Sequence, residues 1–180
     1  MNLHELNKLL GTPELVEARI DGYLKPKGGR EKPVLFAQPK VDEAEMQGHV
    51  EKAEHNLKFV QDNLKLGHYD WCITGCYYAV YHAALALVLK SGYASKNHDA
   101  TLCMLIKHYY RKGVSKDEIT LINKFFLDYH DLLFYAESKA RREDATYSTR
   151  YKFDKQSVEQ LRVKAILFVN KAKEILGERQ

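Results

Sequence analysis

The sequence predicts an all-α fold, an antiparallel up-and-down bundle of about five helices with a partly irregular N-terminal extension. Three observations lead there. Apolar residues recur at three- and four-residue steps through the later segments, capping residues stand in front of several of them, and the connections are short. The candidate exception is an extended piece at "PVLFAQP", residues 33–39. At 180 residues and 45% hydrophobic content the chain is long enough to bury one real core.

Residues 1–41 form the extension. "LHELNKLL" and "TPELVEARIDGYL" read as two short helices, the second with Thr12 as cap and Pro13 in its first turn. "KPKGGREKPVLFAQPK", 25–40, then holds three of the four prolines and a Gly-Gly pair. Its five Lys or Arg against one Glu fit a flexible linker, or a basic arm for nucleic acid.

Residues 42–177 form the bundle. In the segment opening at Asp42, Met46, Val50, Ala53, Leu57, Val60 and Leu64 make a narrow apolar stripe. Asp42 with Glu45 is a capping-box pair, and Gly67 is the stop. The next segment, 69–90, is apolar nearly all round and should be the most buried. Within it Cys72, Cys76, Ala79, Ala83 and Ala86 line one face with small side chains that let a neighbour approach closely. Gly92 lies near its end. Asn97 caps a third helix, Ser115 with Glu118 opens a fourth, and a fifth starts at Asp154. The fifth carries Val158, Leu161, Ala165, Phe168, Ala172 and Ile175 on one face.

Composition narrows the function only mildly. A formal net charge of +4 permits an anionic partner without demanding one. Three cysteines, an odd number, read as reduced thiols, and "MNLHELNKLL" lacks the apolar core of a signal peptide, so a cytoplasmic location is expected. The most apolar run, Cys76 to Leu89, is shorter than the roughly 20 residues of a membrane helix. No membrane partner is expected.

Four places are candidates for chemistry. Cys72 and Cys76 stand four apart, but no further pair is spaced to complete a zinc site, so packing is their expected role and no metal is implied. His82 shares a face with Tyr78, either as a core imidazole bonded to a tyrosine hydroxyl or as part of a pocket. Lys96 and His98 stand at a helix N-terminus, where free N–H groups and the dipole favour anions. Finally, "SKARREDATYSTRYKFDK", 138–155, sets Arg141 and Arg142 near Tyr147. Arginine forks there can hold phosphate, or pair on the surface with Glu143, Asp144 and Asp154. No P-loop, dinucleotide-binding glycine run, HExxH pair or nucleophile elbow occurs.

The order "YYAVYHAALALVLKSGYASKNH" and then "RREDATY" resembles the HEPN domain superfamily, in particular its prokaryotic branch of small stand-alone proteins. The matching positions are Tyr77, Tyr78, Ala79, His82, Ala83 and Ala84, then Lys96 and His98, then Arg142, Ala145 and Tyr147, within residues 42–177. The resemblance implies a helical bundle, often a homodimer, that binds a nucleotide or RNA and has a small nucleotidyltransferase as partner. No cofactor is expected. Many members are ribonucleases marked by an arginine followed four to six residues later by a histidine. This chain departs from that mark: its last histidine is His130, ahead of Arg141, Arg142, Arg150, Arg162 and Arg179, and Arg19, Arg30 and Arg111 have no histidine at the required distance. Thr146 also stands where the branch tends to have Asp.

The resulting expectation is a non-catalytic phosphate binder. Arg142 would make the two-point contact and Lys96 would neutralise charge, with His98 at the helix N-terminus. Arg141 would assist, Tyr147 would stack or donate its hydroxyl, and Tyr78 and His82 would line the pocket floor. The alternatives are an RNase-type toxin of a toxin–antitoxin pair, with His98 or His82 replacing the missing histidine in space, and a homodimeric adaptor.

Overall fold

A computed structural model describes residues 1–26, 28, 31–127 and 154–177. The architecture is all-α with one two-stranded ribbon. Among the described residues seven helices follow in order: α1 Leu3–Gly11, α2 Pro13–Tyr23, α3 Glu43–Leu66, α4 Tyr69–Lys90, α5 His98–Tyr109, α6 over 116–127, and α7 Lys155–Leu176. The ribbon consists of β1 Leu35–Ala37 and β2 Tyr93–Ser95.

Local chemistry starts and stops the helices. Asp42 accepts the Glu45 N–H at 2.9 Å in front of α3, and Gly67 ends that helix with φ 77°, a conformation other side chains resist. Asn97 accepts the Ala100 N–H at 3.0 Å, and Asp154 accepts the Ser157 N–H at 2.9 Å. At α6 the capping box is reciprocal, since Glu118 N–H donates to Ser115 Oγ and Ser115 N–H donates to Glu118 Oε2. Thr12 differs from expectation. It occupies the cap position of α2, yet its side chain makes no capping bond, and Pro13 does the initiating.

α4 is the centre and packs most extensively on α3 and α7. Its small-residue face is fully used: Cys72, Cys76, Ala79, Ala83 and Ala86 are all buried. α3 crosses so closely at Gly75 that a Cβ there would stand 2.5 Å from Val60 Cγ2. The helix spans 22 residues, more than its apolar run, so length alone does not tell it from a membrane helix. Burial is informative here: 72% of its most apolar window lies inside the fold.

Two features depart from a simple up-and-down chain. α5 runs alongside α4 in the same direction, because His98 meets Tyr77 and Tyr109 meets the Leu87 carbonyl. The extended β2 stretch makes this possible: at about 3.3 Å per residue it carries the chain back along the roughly 15 Å from Leu87 to Tyr77. β1 pairs with β2 in antiparallel register, Leu35 opposite Ser95 and Ala37 opposite Tyr93. The basic segment is therefore pinned at this ribbon, an ordering that linker composition does not disclose.

The first two helices also belong to the core. Leu6, Leu9, Val16 and Ile20 are buried, and α2 lies on α5 with Lys107 bonded to Glu17 at 2.7 Å. Ile20→Ala is expected to lower unfolding free energy by about 2–5 kcal/mol in chemical denaturation, whereas a substitution in a free tether would leave it unchanged. Gly75→Leu should overpack the α3–α4 crossing, lowering stability by about 1–3 kcal/mol. Thermal unfolding reads this as a drop of about 2–4 °C per kcal/mol.

Candidate functional site

Burying a helix as apolar as α4 obliges each polar ring on it to find a partner. Tyr77 is 3% exposed, and its hydroxyl shares a hydrogen bond of 2.6 Å with Nε2 of His98. His98 stands in the first turn of α5, behind a rigid cap. Asn97 closes the turn, and Thr101 Oγ1 donates to the Asn97 carbonyl at 2.9 Å. The His98 ring stacks on Phe126 of α6, with centroids 4.6 Å apart, and meets Tyr81 edge-on at 4.8 Å. Three helices thus fix one imidazole in one orientation.

The ring system continues along α4. Tyr78 lies edge-on to Tyr77 at 4.8 Å and stacks with His82 at 6.4 Å. His82 Nδ1 lies 2.8 Å from Nδ1 of His49 on α3. The centroids are 5.1 Å apart, so the two nitrogens point nearly straight at each other and one proton lies between them. Burial pushes His82 down to about 4, with His49 and Lys52 adding to the effect, and burial also lowers His49. Both rings are neutral at pH 7.

Of the expected site residues, the fold joins Tyr78, His82 and His98 in one band. The partner of His82 is the His49 imidazole instead of a tyrosine hydroxyl; the tyrosine-bonded histidine is His98. Lys96 is exposed, with its ammonium 5.7 Å over Phe36 of β1. Arg141, Arg142 and Tyr147 lie outside the described residues. Tyr81, His49 and Phe126 enter the site without having been singled out for it, and Tyr77, a matching position of the family resemblance, enters it as the partner of His98. The four-residue step from Tyr77 to Tyr81 was a usable signal, whereas nothing in the α3 pattern marked His49.

Cys72, Cys76 and Cys103 are free and buried. Cys72 Sγ donates to the Val60 carbonyl at 3.5 Å, and burial pushes the Cys76 and Cys103 thiols up to about 12, so they are inert packing groups. Among the described residues no three His, Cys, Asp or Glu side chains are placed to hold a metal ion.

A HEPN domain profile matches residues 46–176, from the first turn of α3 to the end of α7. The chain belongs to the HEPN family. It is similar to a "UPF0332 protein" of Archaeoglobus fulgidus, 28% identical over 77% of this chain and 98% of that one. It is also similar to "Putative toxin MJ0142" of Methanocaldococcus jannaschii, 25% identical over 73% of this chain and 82% of the relative. The HEPN match contains the whole ring band, while α1, α2 and β1 precede it.

The imidazole pair makes a pH dependence. Both histidines bind protons less readily folded than at their ordinary value of 6.5. Their contribution is complete above that value and is lost as pH falls from about 6.5 toward 4. Melting temperature should therefore drop between pH 7 and pH 5, and the double variant His49→Gln, His82→Gln should show a shallower fall over the same interval.

Proposed function

We propose that this HEPN protein binds the phosphate-bearing part of a nucleotide or RNA without catalysing its turnover. The observation that supports this reading most is the immobilised His98, set at a helix N-terminus beside a continuous band of tyrosine and histidine rings. Helix N-termini favour anions, and rings with accessible faces suit stacking with bases. Tyr78, about a third exposed, and half-buried His82 would flank the base. Lys96 would neutralise charge from the exposed side, and Arg142 would grip phosphate in two-point fashion with Arg141 and Tyr147 beside it. A homodimer and a small nucleotidyltransferase partner remain part of this proposal through the family resemblance.

A second reading follows from the relative named as a toxin and from the Tyr77–His98 bond, which holds an imidazole as a general acid or base must be held. It makes the chain an RNase-type toxin despite the missing arginine–histidine spacing. Growth arrest on expression, relieved by His98→Ala, would favour it over simple binding.

The deciding measurement is a thermal-shift screen of wild type, Arg142→Ala and Lys96→Ala against ATP and short RNAs. A ligand at about a hundred times its Kd adds roughly 2.7 kcal/mol, a rise of about 5–10 °C for a chain of this size. The expected result is a shift in wild type that Arg142→Ala abolishes and Lys96→Ala reduces. No shift in any of the three would reject phosphate binding in favour of the adaptor role.

A further inference from the structure

We propose that the groove between α1 and α2 is a separate binding site for a small amphipathic anion, an apolar body carrying one carboxylate or sulfonate. The site arises from how the two helices meet. They are joined through the single residue Thr12 and each turns one apolar stripe into the core, Leu6 from α1 and Val16 with Ile20 from α2. Between them a concavity of about 560 Å³ remains, within the range of small-molecule sites. Leu9, Leu15 and Ala18 supply its apolar surface.

The rim is rich in cations and donors. His4 and Lys8 stand one turn apart on α1, and Arg19 and Tyr23 one turn apart on α2. Glu5 is the one acid among the lining residues, and the Arg19 guanidinium bonds it across the groove. That bond holds the Glu5 carboxyl below its ordinary value, so the pair stays ionised and balanced. Lys8 makes no ion pair among the described residues, while Arg19 divides its donors between the Glu5 carboxylate and the Tyr23 hydroxyl. An unbalanced cation over an apolar floor complements a ligand with the opposite charge and an apolar body.

The Arg19–Glu5 bridge also decides between a small ligand and an acidic helix from a partner protein. It spans from α2 to α1 and interrupts the groove, so a long helix could not lie along it without breaking an ion pair. A small ligand would instead lie on the apolar surface of Leu9, Leu15 and Ala18 beside the bridge. The groove lies wholly within residues 4–23, ahead of the HEPN match, and so does not rest on the nucleotide reading.

The test uses the full chain and 8-anilinonaphthalene-1-sulfonate as the anion, read by fluorescence. One saturable site is expected, displaced by octanoate and not by octanol. Ala18→Trp fills the floor from an exposed position and should abolish binding, with far-UV circular dichroism confirming the fold. Lys8→Glu, exposed and free of packing, should weaken binding about tenfold and decides the matter should Ala18→Trp misfold. Unchanged titrations in both variants, displacement by octanol, or displacement only by an acidic helical peptide would each overturn the assignment.

Discussion

The structure depends on the burial of α4. A helix apolar nearly all round cannot remain in water, and in this chain it must be covered by other helices of the same molecule. That requirement explains the row of small residues from Cys72 to Ala86 and the close crossing at Gly75, where any side chain would collide with Val60. It also explains why α3 and α7, each with a single apolar stripe, have no other stable place to turn it. Their outer faces are left to ion pairs such as Lys171 with Glu174, which contribute little to stability.

Burial of α4 has a second consequence, because the helix is not chemically inert. It carries tyrosines and a histidine, and each is satisfied by a different neighbour: Tyr77 by His98 on α5, His82 by His49 on α3. Tyr109 of α5 in turn donates to the Leu87 carbonyl of α4. These bonds are directional, so they fix the rotation and register of α3 and α5 against α4 in a way that apolar contact alone does not. The polar band that makes the candidate site is thus also what aligns the bundle. A group serving both purposes tolerates few substitutions, and this is why Lys96 and Arg142 are cleaner probes of binding than the rings.

Legibility followed the range of the forces involved. Helix spans, the caps at Asp42, Asn97, Ser115 and Asp154, and the buried character of α4 came from patterns local in sequence, and they were readable. The pairing of β1 with β2 was not. β1 lies inside the extended piece read at 33–39, but β2, some sixty positions on, carries almost no signal of its own, and the hydrogen bonds from Gln38 N–H to the Gly92 carbonyl and from Lys96 N–H to the Val34 carbonyl exist only in three dimensions. For the same reason His98 was legible as a residue at a helix start but not as the partner of Tyr77. His49 was invisible, since a polar residue next to an apolar stripe looks like an ordinary surface position.

The extension bears on the site through α5. That short helix is buried on nearly every side, with Leu102, Cys103, Leu105 and Ile106 all in the core. A twelve-residue helix has only a marginal tendency to form alone, so its position is set by what encloses it. α4 encloses one side, and α2 lies on another, bringing Arg19 and Tyr23 near Cys103. β1 pins the chain just before α5 begins, and Asn123 of α6 donates to the carbonyl of Met1 at 2.8 Å, joining the chain start to the same assembly. The orientation of His98 therefore depends on residues that precede the HEPN match altogether. Anything that shifts α2, whether a core substitution such as Ile20→Ala or a ligand in the neighbouring groove, acts on the helix that presents His98. The extension is coupled to His98 by packing through α5, and it touches Lys96 directly through Phe36 and the Val34 carbonyl.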